Sequence, residues 1–584
     1  MTDYRAPVQE ISFLLNDIFQ LQAIAELPGF EDVSPGLVDA ILDEAGRYFA
    51  EVFAPTNQQA DIEGTRIENN AVVTAPVLDG LYDSFREAGW PSLTGDPEHG
   101  GQGMPHLVGF AVDELLQSAN MSFSLLPMLT MGVITALEHY GSEAQKKLYL
   151  PKLITGEWTG SMNLTESQAG SDLAAVRTKA VPQDDHYLIS GQKIFISWGD
   201  HGYTDNIVHL VLARTPDAPA GVKGISLFVV PKFLNDADGQ LGERNDVYPV
   251  SVEHKMGIHA SPTCVMSYGD NSGAVGYLIG EENQGLVYMF AMMNHARLAV
   301  GLEGVSISER AYQHALTYAK DREQGGVIIG HPDVRRMLMT MKSLTEGARA
   351  LAYSAMMHWD FNLHATNDED GAYHQRRVEL LTPLVKGWCT EIANEVTSLG
   401  VQVHGGMGFV EETGAAQYMR DARIMAIYEG TNGIQAMDLV GRKLLRDQGA
   451  SAQELLQDIE QDIASCRAQG LDDLANSVAR CVERCQQSIA HLFEGAASDK
   501  DLPGSVAFNL LMLMGTTVAA SLMAKSATVA SAKIVAGDEQ GLFLEAKVHT
   551  ARFFAEQIAS RTETYLSAIL SGSETTMALS DEQW

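Results

Sequence analysis

Apolar residues recur at helical spacing through most of the chain. Leu37, Ile41, Ala45, Tyr48 and Val52 follow Ser34-Pro35, a capping serine ahead of a proline at the first helical position, and Pro55 ends the element. The spacing predicts further helices near 77–85, 107–116 and 145–153, with the glycine-rich stretch 95–105 as a loop. The first 160 residues therefore read as all-helical.

The period then changes. His186 to Ser197 holds two alternating runs about Ser190-Gly191, a hairpin signal. Segments 207–213 and 224–230 are β-rich, and 263–268 closes the group, which reads as a small antiparallel sandwich or barrel. From Gly285 the helical period returns and holds to Leu445, in long helices rich in methionine and alanine. Gly449 to Ala452 reads as a junction. In the tail, Leu455, Ile459 and Ile463 share a face, as do Val478, Val482, Cys485, Ile489 and Leu492. With breaks near 493–499 and 538–541, four added helices are expected. The expected fold is mainly α with a middle antiparallel β domain and an added C-terminal helical bundle. Its expected parts are an N-terminal extension (1–33), a helical domain (34–160), the β domain (161–280), a second helical domain (281–449) and the bundle (450–584). No βαβ pattern, dinucleotide fingerprint or phosphate-loop motif occurs.

Charge narrows the function. The 584 residues carry 40 basic and 75 acidic side chains, a net charge of −35. Such a surface repels phosphate backbones and anionic lipid heads, which argues against nucleic acid or a membrane surface as the main partner. An anionic small ligand needs a locally basic site. Residues 506–524 carry no charge, but Asn509, Gly515, Thr516, Thr517 and Ser521 interrupt them, so a bundle helix is expected rather than a membrane span. The five cysteines have no zinc or redox spacing, and no metal site is expected. Cys481 and Cys485, one helical turn apart, suit two buried thiols better than a disulfide. The start, Met-Thr-Asp-Tyr-Arg, lacks the features of a secretion signal; a cytoplasmic location is expected.

Three segments could carry chemistry. Glu429 follows an apolar run and precedes Gly430. A desolvated carboxyl there would have the raised pKa that suits a general base for a weakly acidic C–H; alternatively it pairs with Arg420 or Arg423 at a helix end. Met162 to Asp172 crowds Thr165, Ser167, Gly170 and Ser171 into one loop, able to hold a polar ring edge or a diphosphate, or simply to cap a turn. Gln402 to Phe409 sets three glycines in four positions, open to phosphate or serving as helix termination, with His404 as a packed histidine. Arg322 and the run His331 to Arg336 are either exposed helix charges or an anion clamp.

Together and in this order, these segments resemble the flavin-dependent acyl-CoA dehydrogenases. The resemblance rests on Gly95-Asp-Pro-Glu-His-Gly-Gly-Gln-Gly103, Leu164-Thr-Glu-Ser-Gln-Ala-Gly-Ser-Asp172, Phe195-Ile-Ser197, Lys255 to Cys264 and Ile427-Tyr-Glu-Gly-Thr431. Tyr4-Arg-Ala-Pro-Val, Gly191 to Asp200, Met292 to Leu298 and Asp333 to Met339 resemble a longer subgroup with an N-terminal extension and a C-terminal helical domain.

The resemblance implies FAD between the β domain and the second helical domain, contacted by Met162, Leu164, Thr165, Gly170, Ser171, Phe195, Ser197, Arg322, Gln402, Gly406 and Thr431. Arg322 and Gln402 would act across a homodimer. Ser171, Asn294, Arg297 and Gly430 would meet the acyl-CoA. Glu429 would remove the α proton while the β hydride goes to the flavin. An electron-transfer flavoprotein would take the electrons, and the subgroup implies a short thioether or other short-chain acyl group. Departures are Ser167 where the family has proline, Gly325 where it has an aromatic residue, and Asn294 where some members have aspartate. Other readings are an acyl-CoA dehydrogenase of general fatty-acid oxidation, an oxidase passing electrons to oxygen, a flavin-bearing nucleic-acid-binding protein and a scaffold without flavin. The acidic tail (Glu454, Asp458, Glu460, Asp462, Asp472, Asp473) opposes nucleic-acid binding.

Overall fold

The computed structural model describes residues 4–236 and 239–584. They divide into two compact units. One comprises Tyr48–Gly109 and Ala119–Ala296; the other comprises the segment ending at Arg47, Phe110–Ser118 and Arg297–Trp584.

The first unit holds the sheet. Its strands are β1 (Arg66–Glu68), β2 (Ala71–Val73), β3 (Thr159–Asn163), β4 (Lys179–Pro182), β5 (Tyr187–Ser197), β6 (Ile207–Ala213), β7 (Ser226–Pro231), β8 (Phe233–Asn235), β9 (Leu241–Arg244), β10 (Val247–Val252), β11 (Thr263–Tyr268) and β12 (Ala274–Leu278). The main sheet runs β10-β11-β5-β12-β7-β6-β3, with β4 on β5. Its pairings are antiparallel except β3 with β6, which is parallel, because a long excursion carries the chain back to the same end. Ile189, Ile196, Val211, Phe228, Val230, Met266 and Tyr268 form its core.

Two expectations change here. Ser190-Gly191 is not a hairpin: β5 runs unbroken from Tyr187 to Ser197. Residues 187–190 pair with β4, 187–189 also pair with β12, and residues 191–197 pair with β11. Gly191 sits at the change of partner with φ of 151°, where a Cβ would lie 2.6 Å from Thr178 Oγ1. The glycine allows a strand to change neighbours rather than reverse. The N-terminal region is not all helix either. β1 and β2 form a hairpin whose turn residues Asn69 and Asn70 have φ of 51° and 59°, the left-handed pair that a two-residue turn demands.

The second unit is helical. Its long helices include Pro332–Leu363, Asp368–His404 and Leu502–Val535, together with Gly285–Asp321 from Arg297 onward. They cross where side chains are smallest. A Cβ on Gly304 would lie 2.7 Å from the Cys389 carbonyl oxygen, and one on Gly515 would lie 2.6 Å from the Trp388 ring. Trp388 fills that crossing and donates its indole N–H to Thr516 Oγ1 at 3.1 Å.

The tail has five helices, not four: Ala450–Ala468, Asp472–Gly495, Leu502–Val535, Gly541–Phe553 and Arg561–Leu570. The unforeseen break at Ala559-Ser560 uses neither glycine nor proline, so composition does not flag it. Among the described residues, two helices are long and apolar enough to cross a membrane, Met121–Tyr140 and Leu502–Val535. The apolar window of each is 78% and 89% buried within the protein, as core helices are. All five cysteines are buried and free. The N-terminal extension packs on the tail: Lys533 bridges to Asp17, and Phe13 meets Phe543 edge to face at 5.6 Å.

Candidate active site

Glu429 stands in the second unit, just past a short helical turn and ahead of the helix Asn432–Asp438. Both Glu429 and Gly430 are left-handed, with φ of 55° and 84°. Glycine takes that conformation freely, but a side-chain-bearing residue pays for it and persists only where its surroundings hold it. Gln435 supplies part of that hold, donating to the carbonyls of Glu429 (3.3 Å) and Gly430 (3.2 Å). Thr431 caps the following helix through Ile434 N–H. Among the described residues, the Glu429 amide and carboxylate make no hydrogen bond or ion pair.

Pairing with Arg420 is not what forms, because Arg420 bridges to Glu411 at 2.9 Å. Arg423 is exposed and makes no ion pair with Glu429. The charges that act on Glu429 are Arg297 and Lys386. Burial raises its pKa, and those two cations pull it back only in part. Arg297 is 5% exposed, with its Nε unpartnered and its nearest carboxylate, Asp438, 3.8 Å away. Lys386 is fully buried and donates to Asn432 Oδ1 at 2.9 Å; burial pushes its ammonium down to about 7 despite Glu429 and Glu303.

Elsewhere in this unit, Gln402, Gly406 and Arg322 are exposed. Arg322 lies a turn past Tyr318, whose ring packs on His404 at 4.3 Å. His404 is a packed histidine, as expected, accepting or donating at Nδ1 with the Gly400 carbonyl at 2.7 Å. Burial lowers its pKa.

In the first unit the loop after β3 is held from inside. Lys193 donates to the Leu164 carbonyl (3.0 Å) and to Glu166 (2.9 Å). Glu166 also accepts from the Thr178 hydroxyl (2.6 Å) and from the Thr178 and Arg177 amides. Burial opposes its ionisation, but Lys193 and these bonds together bring its pKa down to about 2. Ile194 N–H donates to the Thr165 carbonyl at 2.9 Å, which brings Thr165 beside the Phe195 end of β5.

Phe195 has φ of 58° and is 59% exposed. Among the described residues, the hydroxyls of Thr165, Ser171 and Ser197 have no partner. An exposed aromatic ring beside uncommitted hydroxyls fits a planar, polar-edged ligand. Leu164 is half-buried and Gly170 exposed with open space around it. Met162 is buried, its sulfur facing Gly132. The loop also caps a turn, since Asp172 accepts from Ala174 N–H. Asn294 is half-buried, three residues before Arg297 on one helix.

Glu303, Lys386 and Tyr428 escape sequence reading. The available signal is one charge alone in an apolar helical run, as in Leu302-Glu303-Gly304 and Val385-Lys386-Gly387.

A helical, β, helical order with a half-buried, unpaired glutamate on a left-handed turn is that of a known class. Family models for the N-terminal, middle and C-terminal domains of acyl-CoA dehydrogenases match residues 38–157, 161–270 and 283–445, and one described as acetyl-CoA dehydrogenase C-terminal like matches 455–580. The chain belongs to the acyl-CoA dehydrogenase family and is an oxidoreductase of that class. Among its relatives is the 3-methylmercaptopropionyl-CoA dehydrogenase of Ruegeria pomeroyi, 50% identical over 95% of this chain and 96% of that protein. The acyl-CoA dehydrogenase of Bacillus anthracis, solved with FAD, covers 98% of this chain and 93% of its own at 22% identity, with a TM-score of 0.74. The butyryl-CoA dehydrogenase of Megasphaera elsdenii covers 69% and 97% at 26% identity, with a TM-score of 0.57.

Proposed function

We propose that the protein dehydrogenates an acyl-CoA thioester between its α and β carbons, with Glu429 as the base and FAD as the cofactor. The observation that carries this reading is the Glu429 carboxyl, unpaired, raised in pKa by burial, yet within the field of Arg297 and Lys386. Such a group is ionised enough to accept a proton and basic enough to keep one. The α proton passes to the Glu429 carboxylate. The Glu429 amide, free of internal bonds, is a donor available to polarise the thioester carbonyl as charge develops on its oxygen. A seated acyl group displaces water from the carboxyl and strengthens its hold on the proton. When bound, FAD supplies the acceptor for the β hydride.

Thr165, Ser171, Phe195 and Ser197 are the chain's offer to the flavin ring, with backbone from Met162, Leu164 and Gly170. Arg322, Gln402, Gly406 and Thr431 are assigned to the rest of FAD, the first two across a homodimer. The exposed Met407 and Phe409, 44% and 89% accessible beside Gly406, suit cover by a second copy. Asn294, Arg297 and Gly430 are assigned to the acyl-CoA, with an electron-transfer flavoprotein as electron acceptor.

The identity over nearly the whole length of the Ruegeria protein favours 3-methylthiopropionyl-CoA or another short-chain thioester. Anaerobic mixing of the FAD-loaded Glu429→Gln variant with such thioesters tests the base: FAD stays bound and its absorbance is not bleached by substrate. Wild-type bleaching in the variant rejects the assignment. A panel of acyl-CoAs with an artificial acceptor ranks the acyl group, and peroxide formed in step with turnover would favour the oxidase reading.

A further inference from the structure

Glu303 lies on the helix Gly285–Asp321 and is completely buried. One carboxyl oxygen, Oε2, accepts the Tyr428 hydroxyl; the other, Oε1, has no partner among the described residues. The nearest cation does not neutralise it by contact, because the Lys386 ammonium is bonded to Asn432 instead. The groups that act on it are Tyr428 and Glu429, from the turn at the base, and Lys386, from the helix Asp368–His404.

A buried carboxylate with a bare oxygen and only a neutral hydroxyl for company is costly, and the group escapes the cost by keeping its proton. Burial pushes its pKa up to about 8; the Tyr428 hydrogen bond opposes this, the Glu429 charge adds to it, and Lys386 opposes it least. As an acid it still accepts at Oε2. Its bond therefore holds Tyr428, the residue immediately before the base, while adding no charge.

We infer that Glu303 is a positioning residue that works as a neutral carboxylic acid. It anchors the Tyr428 hydroxyl and so fixes the left-handed turn at Glu429, without setting a second negative charge beside the base and the developing enolate. The inference rests on Glu429 being the base. Ionisation of Glu303 places that second charge and opposes the reaction.

The test compares Glu303→Leu, Glu303→Gln, Tyr428→Phe and Glu429→Gln as FAD-loaded enzymes reduced anaerobically by butyryl-CoA across pH. Glu303→Leu and Tyr428→Phe slow flavin reduction by about 10²-fold, the order of loss expected when a reacting group shifts by an ångström. Glu303→Gln, the isostere of the acid, rescues the rate lost in Glu303→Leu and removes the wild-type decline centred near pH 8. Tyr428→Phe removes the bond without altering the core helix, which guards against misfolding of the leucine variant. Infrared titration of the enzyme without substrate gives a second readout: the carbonyl stretch of a protonated acid persists above pH 7 and is lost in Glu303→Gln.

A wild-type rate in both Glu303→Leu and Tyr428→Phe, a Glu303→Gln as slow as the leucine variant, or an acid carbonyl stretch at pH 6 that is the same in wild type and Glu303→Gln overturns the inference. An inert Glu429→Gln beside those results leaves the base reading standing alone. A Glu429→Gln that still bleaches overturns both.

Discussion

Lys193 and Glu166 meet at 2.9 Å in the interior of the first unit, with side chains 0% and 5% exposed. The two lie 27 residues apart in the chain, and the bond ties β5 to the loop carrying Leu164 and Thr165. Because Lys193 also holds the Leu164 carbonyl, the pair fixes main chain that is assigned to the flavin.

Breaking this pair from one side is expected to be costly. Lys193→Met leaves Glu166 buried beside an apolar group, a loss of about 3–5 kcal/mol for a buried pair deprived of one partner. Replacing both, as Lys193→Met with Glu166→Gln, recovers much of that loss because no lone charge remains. Urea unfolding midpoints of the three variants measure it, and FAD content should follow stability. Equal midpoints for wild type and Lys193→Met would refute the role.

The same pair sets an acid limit. Glu166 is held down to about 2 from an ordinary 4.5. The unfolded chain therefore binds its proton first as pH falls, and the stabilisation present above about pH 4.5 drains away towards pH 2. Thermal unfolding of wild type and Glu166→Gln should differ most above pH 5 and converge below pH 3. A gap independent of pH would mean that charge is not what Glu166 contributes.

The sequence makes the layers legible because their patterns differ: a 3.6 period in the helices, and in β6 and β7 short β-rich apolar runs buried at every position. Ser190-Gly191 misleads, since a glycine between alternating runs marks a turn and a bent strand alike, and only the partners β4, β11 and β12 decide between them. The break at Ala559-Ser560 is invisible for want of glycine or proline. At the site, Glu429 is legible from Ile-Tyr-Glu-Gly-Thr, but its surroundings are not. Glu303 and Lys386 approach it from positions 126 and 43 residues earlier in the chain, on two different helices, and no local pattern pairs them.

Gly430→Ala probes the turn itself. Gly430 has φ of 84°, and a Cβ there would lie 2.9 Å from Gln435 Nε2, the atom that holds the Glu429 and Gly430 carbonyls. The left-handed backbone alone costs a substituted residue roughly 1–2 kcal/mol, and the displaced Gln435 adds to it. Flavin reduction should slow much more than global stability falls, because the damage is confined to the turn that aims Glu429. Stopped-flow reduction and thermal melting of one preparation separate the two, and a variant that melts early but reduces at the normal rate would contradict the expectation.

Lys547 ties the N-terminal extension to the tail. Only 2% exposed, it bridges to Glu10 at 2.5 Å and to Glu346 at 2.8 Å. The three residues are not equivalent. Glu346 has a second partner in Lys342 and remains paired if Lys547 is lost. Glu10 has Lys547 as its one ion-pair partner among the described residues. Lys547→Met should therefore strand Glu10 and cost about 3–5 kcal/mol. Glu10→Gln should cost less, because Lys547 keeps Glu346 and an amide oxygen can still accept its proton. A double-mutant cycle should give a coupling of about 0.5–3 kcal/mol, as for residues in direct contact. The ordering is the decisive part: Glu10→Gln proving as harmful as Lys547→Met in urea unfolding would show that the extension is not docked on the tail through this lysine.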